Sequence, residues 1–356
     1  MTTCLYCQSQ ADSTEHILPA AFGEFDGAPL LENRICTRCN NVRLGLLDQQ
    51  LARCGPEAVL RRFFGVQGRT THDPVNPHYR GSAGGHRLKM KAFDTSVGAE
   101  VELECLKGEV RQSRQLVIVD QSGRSHQLLI TDDLRDNPKK LREAYMALGV
   151  TQPADVRLLC DPSEKAWVEP LIKAAWPTVS FEPRGLAAEN YRDGAVVELQ
   201  VTDRYFRAIA KIGFHYFLSQ FPNYKGSEPL FVGIRDFISE NKGGIERIND
   251  FVGIRQNPLL APMMDGFRPD GWAAHALCAE AGRECVAHVQ LFVCNDYSAP
   301  VYTVKLARDT DISVHCSTGH AFKYFEEGPR GKFSGKADSL YVTHFRTARP
   351  PKSAVG

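Results

Sequence analysis

Residues 4–45 read CLYCQSQADSTEHILPAAFGEFDGAPLLENRICTRCNNVRLG. Two CxxC pairs, Cys4/Cys7 and Cys36/Cys39, bracket an excursion of 28 residues. Each pair sets two thiolates on a tight knuckle, and two knuckles can share one tetrahedral ion. Four thiolates leave no open coordination position, so the expected ion is a structural zinc and not a reaction centre. A module this small buries little core, and the metal is expected to supply much of its folding free energy. The excursion is longer than the gap of an ordinary zinc ribbon. It carries Glu15-His16-Ile17-Leu18-Pro19 and then Asn33-Arg34-Ile35, which leads into the second knuckle and Asn40-Asn41-Val42-Arg43.

The pattern predicts a strand ending at Glu15–Ile17, a return strand over Asn33–Ile35 and a helix opening at Cys39-Asn40 and running through LGLLDQQLAR. Neighbouring residues on a strand point to opposite sides, so Glu15 and His16 can take different tasks. The intrinsic pKa of histidine lies near neutrality, which makes His16 the candidate general base. Glu15 and Asn40 offer hard oxygen ligands, suited to magnesium or manganese rather than zinc. Asn41 follows directly and is an alternative ligand; helix register favours Asn40. Arg43 is a candidate phosphate contact, with a solvated helix charge as the equal alternative.

The order CxxC … EHIxP … N-x-x-C-x-x-C-N-N-x-x-x-G resembles the HNH endonuclease superfamily in its four-cysteine branch. The resemblance covers residues 4 to about 50, one seventh of the chain. It implies a ββα-metal module that hydrolyses phosphodiester bonds of DNA. In that scheme His16 is the base, Glu15 and Asn40 hold the catalytic Mg2+ or Mn2+, and Asn33 fixes the loop and orients the base. The sequence has Glu15 where the family more often has Asp or His, and Asn40 where many members have His. Similarity to stand-alone prokaryotic HNH proteins extends the expectation to restriction or antiphage defence. Two other functions stay open: a zinc-stapled nucleic-acid-binding protein that does not cleave, and a nuclease triggered by a small molecule or a partner protein. RNA as substrate and homo-oligomerisation also stay open.

Working outward, the expected class is α+β: an N-terminal module (1–55), a linker or loop region (56–95) and a larger mixed domain (96–356), divisible near 185–195. Strand-like runs RLKMKAF, VELEC, RQLVIVD and HQLLIT precede a helix over 137–148. VRLLC, EKAWVEPLIKAA and VSFEP predict a small βαβ unit. DRYFRAIAKIGFHYFLSQF (203–221) gives the best helical stripe, with Asp203 as N-cap. VAHVQLFVC, PVYTVKLA and HAFKYFE return to strands, and 328–352 reads as a basic tail. His315-Cys316-Ser317-Thr318-Gly319-His320 lacks a partner cluster and is read as a strand and turn.

Bulk properties narrow the partners. The 356 residues carry a formal net charge of +1, so the whole chain is not a basic nucleic-acid binder. The module's Arg34, Arg38, Arg43 and Arg53 face seven acids up to Glu57. Nucleic-acid contacts are therefore expected from Arg204, Arg207 and Lys211, at helical spacing, and from Arg330, Lys332, Arg346 and Arg349. The plainer alternatives are a solvated helix face and a disordered terminus. No apolar run is long enough to span a bilayer, and MTTCLYCQSQADSTEH lacks the features of a signal peptide. A cytoplasmic protein without a membrane partner is expected. The 11 cysteines then point to metal rather than disulfides.

Overall fold

The computed structural model describes residues 2–66, 76–79, 87–106, 109–132, 134, 138–150, 153–174, 180–183, 191–198, 201–240, 244–255, 274–293, 299–308, 314–327 and 333–346. The protein is mixed α+β, in two compact units. One comprises Met1–Pro74 with Val201–Gly356, and the other Val75–Gln200. The sequence reading separated 1–55 from everything after it; in the structure the same residues share a core with the C-terminal third.

The first unit begins with β1 (Ser13–His16), β2 (Glu24–Asp26) and β3 (Leu30–Ile35). β1 and β3 are antiparallel, with His16 opposite Leu30 and Ser13 opposite Ile35. A bulge falls between Ser13 and Thr14, and across from it Asn33 adopts φ 50°. Asparagine tolerates this left-handed backbone better than most residues. After the second knuckle a π-helical turn over Cys39–Leu44 passes into α1 (Gly45–Cys54). Leu44, Leu47 and Leu51 form its buried stripe. Gly55 is extended, and Pro56 opens α2 (Pro56–Phe63). A Cβ on Gly55 would lie 2.6 Å from the ring of Tyr205, so the close turn requires glycine.

The second unit holds β4 (Lys89–Asp94), β5 (Ala99–Leu106), β6 (Glu109–Gln112), β7 (Gln115–Asp120) and β8 (Ser125–Leu129). α3 (Pro138–Ala147), β9 (Pro153–Cys160), α4 (Lys165–Lys173), β10 (Ser180–Pro183) and β11 (Tyr191–Glu198) follow. Its described strands form two four-stranded sheets, ordered β10-β9-β7-β8 and β11-β4-β5-β6. β9, α4 and β10 make the expected βαβ unit, with the two strands parallel. The expected linker over 56–95 contains α2 and β4; residues 67–75 and 80–86 lie outside the described set.

The chain returns to the first unit with α5 (Asp203–Gln220) and α6 (Val232–Glu240). Thr202, not Asp203, stands at the N-cap of α5. Then come β12 (Val252–Arg255), β13 (Ala274–Ala281), β14 (Glu284–Val293), β15 (Val301–Arg308), β16 (Val314–Glu327) and β17 (Phe333–Arg346). Among the described residues these build a seven-stranded sheet, ordered β12-β15-β14-β13-β16-β17-β2. The expected tail is thus partly a strand: β17 pairs with β16 along most of its length. β2, from the excursion between the knuckles, closes the other side of β17 in parallel.

α5 is buried almost throughout from Tyr205 to Leu218. One side seats on the sheet, where a Cβ on Gly213 would meet Val304 at 2.9 Å and Ala287 at 3.2 Å. Other residues of α5 pack against α1 and β3. The length of the excursion now has a physical reason. Phe22 packs on His275 and Phe292, Phe25 packs on Phe322 and Tyr324, and the Tyr324 hydroxyl donates to the Phe22 carbonyl at 2.7 Å.

Glu57 of α2 is buried beneath this assembly and accepts a hydrogen bond from the Tyr205 hydroxyl at 2.8 Å. Burial pushes its carboxyl up to about 7, against the opposing pull of that hydrogen bond. A carboxyl raised in the folded state favours the protonated form. Its contribution is present below the unfolded value near 4.5 and is lost as pH rises through 7. The loss amounts to about 3 kcal/mol. Glu57→Gln keeps the Tyr205 bond without the charge. Denaturant melts should show the variant equal to the parent at pH 4 and more stable by about that amount at pH 8 and above. Equal stability at both pH values would show that Glu57 does not titrate in this way.

Candidate functional site

The four knuckle cysteines converge. Their sulfur atoms all lie within 4.8 Å of one another, and Cys7 Sγ is 3.6 Å from Cys36 Sγ. Zinc–sulfur bonds of about 2.3 Å in a tetrahedron require sulfur separations of about 3.8 Å, so the cluster is compatible with structural zinc. The Tyr6 backbone N–H donates to Cys4 Sγ and the Cys39 N–H to Cys36 Sγ, as suits thiolate acceptors. Burial pushes the Cys4 and Cys39 thiols up, whereas the Ser9 side-chain hydrogen bond brings the less buried Cys7 down to about 6. Taking up a metal here releases protons.

The knuckles are anchored to the rest of the unit. Arg235 of α6 donates to the Leu5 carbonyl, and Arg34 donates to the carbonyls of Tyr224 and Pro222. The exposed Arg43 donates to the Tyr6 carbonyl. Asp12 binds the backbone and hydroxyl of Thr37, and beside them a surface depression is lined by Arg38 and Asn41.

Glu15 and His16 end β1 on opposite faces, as strand geometry requires. His16 is half-buried and Glu15 is buried. The Asn40 amide donates to Ser13 Oγ and the Thr14 carbonyl, and its side chain also reaches the Glu15 carboxylate. Asn41 is exposed. Of the two asparagines, Asn40 is the one beside Glu15. Asn33 is exposed at the bulge by Ser13 and Thr14, whereas His16 pairs with Leu30. The Asn33 backbone accommodates the left-handed turn across from the bulge.

Sequence reasoning missed the partners of Glu15. Lys211 of α5 sends its fully buried ammonium to Glu15 Oε1 at 2.5 Å and to both oxygens of Asp48 at 2.7 Å. One turn further along α5, the equally buried His215 has Nδ1 3.8 Å from Glu15 Oε1, and its Nε2 is hydrogen-bonded to the Tyr6 hydroxyl at 2.7 Å. Burial works against the Lys211 charge, but Asp48 and Glu15 outweigh it and hold the ammonium above the ordinary lysine range. Burial, helped by Lys211, lowers His215 well below the usual histidine range, so its ring is neutral. Burial pushes Glu15 up, Lys211 opposes it, and Asp48 adds to the rise.

This geometry corrects two expectations. The carboxylate assigned to a divalent ion is engaged by an ammonium. Lys211, assigned to nucleic acid, is fully buried and cannot reach a phosphate. Its stripe neighbour Arg207 donates to the carbonyls of Ile238 and Ser239 and pairs with Asp203, so it serves as a clamp on α6. Arg204 is half-buried. Arg346 ends β17, and Arg330, Lys332 and Arg349 lie outside the described residues. His320, read as part of a strand and turn, lies on β16, where its Nδ1 meets the Tyr216 hydroxyl at 2.8 Å.

Among the described residues no helix is long and apolar enough to cross a membrane. Compared with known protein families, curated proteins and solved structures, the chain matches none.

Proposed function

We propose that the chain is an HNH-type endonuclease that hydrolyses phosphodiester bonds of DNA. The observation that carries this reading is the grouping at the end of β1: Glu15 and His16 on opposite faces, with the Asn40 amide brought to Glu15 by the helix that follows the cysteine knuckles. In this reading His16 takes the proton of the attacking water, and the exposed Arg43 offers a charged donor to phosphate. Glu15 and Asn40 are the expected ligands of a catalytic Mg2+ or Mn2+. With the Lys211 ammonium on Glu15, the residues as arranged do not accept that ion. The test is nicking of supercoiled plasmid with Mg2+ or Mn2+ by Lys211→Met, which removes the ammonium, and by the same protein carrying His16→Ala. Equal rates remove the reading.

The Lys211 contact favours a second reading over a constitutive nuclease: an effector released by a small molecule or a partner, for which prokaryotic antiphage defence is the analogous setting. A zinc-stapled nucleic-acid-binding protein without cleavage would instead bind the plasmid and leave it intact under every condition.

A further inference from the structure

The Lys211 ammonium sits where three other groups converge. Glu15 Oε1 and both Asp48 carboxylate oxygens lie 2.5–2.7 Å from Nζ. His215 Nδ1, fully buried and without a hydrogen-bond partner, faces the same carboxylate oxygen. If Nε2–H is donated to the Tyr6 oxygen, Nδ1 offers a lone pair toward this point, as an outer partner fixes a ligating histidine. Two carboxylates and an imidazole are the donor set of a divalent cation such as Mn2+. The oxygen distances exceed those around calcium by only a few tenths of an ångström, and those around magnesium by about half an ångström. Asp48 is part-exposed and gives the site an opening.

We propose that Glu15, Asp48 and His215 form a divalent-cation site that the Lys211 ammonium keeps closed. The inference rests on the nuclease reading only in giving that site a use; cation uptake itself is independent of cleavage. Closure follows from charge: an ammonium held by two carboxylates satisfies both, and a dication must displace it. Displacement requires the Lys211 side chain to swing out while α5, which also carries His215, keeps its place. The role of Lys211 here is positioning and exclusion, since no substrate can touch it.

The test uses the full-length, zinc-loaded protein and Mn2+ as the probe, read by electron paramagnetic resonance. The parent should show no Mn2+ binding that Glu15→Gln removes. Lys211→Met should gain one Mn2+ site, and adding Asp48→Asn should abolish it. At free Mn2+ a hundredfold above its Kd, the melting midpoint of Lys211→Met should rise by roughly 5–10 °C while that of the parent stays in place. If the variant loses its zinc without Mn2+, preparation in Mn2+ should return folded, zinc-loaded protein; failure there also overturns the proposal. Parent protein that binds Mn2+ through Glu15, or folded Lys211→Met that gains none, overturns it directly. Plasmid nicking is scored separately. Mn2+ uptake by Lys211→Met without nicking keeps the cation site and removes the nuclease reading.

Discussion

Cys39→Ser should lose its zinc and, with it, the folded state of the whole first unit. Structural zinc in small modules contributes on the order of 10 kcal/mol at neutral pH, comparable with the entire stability of a domain. The damage should not stay local. Cys4, Cys36 and Cys39 belong to one buried cluster with Leu47, Leu51, Phe214, Phe217 and the sheet residues Val289 and Val304. Residues 116–172 form a separate cluster, so the second unit should remain resistant to protease. Elemental analysis and limited proteolysis with mass mapping check both parts. A zinc-free protein with the parent's melting curve and cleavage map would sink the assignment.

In the Lys211→Met background, where the ammonium no longer holds Glu15, adding His16→Ala should lower the nicking rate by roughly 10²–10⁴-fold while leaving zinc content and DNA affinity unchanged. A general base acts only on the way to the transition state, so its removal lowers kcat and leaves ground-state binding alone. Folding is a lesser concern at this position. His16 is half-buried at the end of β1, whereas Ile17 and Leu18 beside it carry the core contacts. A double variant that nicks at the rate of Lys211→Met would move the catalytic assignment elsewhere. A parallel loss of DNA affinity would make His16 a contact residue instead of a base.

What was legible in the sequence was local. The CxxC pairs, the strand ending in Glu15-His16 and the helix after Cys39 are set by short spacings, and the structure contains each of them. The module was expected to end at residue 55 with a linker from 56, yet proline at the first helical position starts a helix, and α2 begins at Pro56. Lys211 was misread because a lysine on a helical stripe is usually solvated, and neither Glu15 nor Asp48 is near it in sequence. β17 was read as part of a basic tail because the lysines and arginines in and around it mask a strand that pairs with β16 and β2. The separate-module view failed for a related cause: the aromatic wedge of Phe22 and Phe25 finds its partners 250 or more residues further along the chain.

The pairing of Glu24 with Ser334 also sets a clock. The strand that flanks β2 emerges from the ribosome about 310 residues after β2 itself. At bacterial elongation speeds that interval is roughly 15–60 s. Until it ends, the excursion has no sheet edge to join and the aromatic wedge has no pocket. α5, which supplies Lys211 and His215, itself emerges only after the whole of the second unit. A chain that still lacks α5 lacks both the Lys211 ammonium that excludes a cation and the His215 imidazole proposed to bind one.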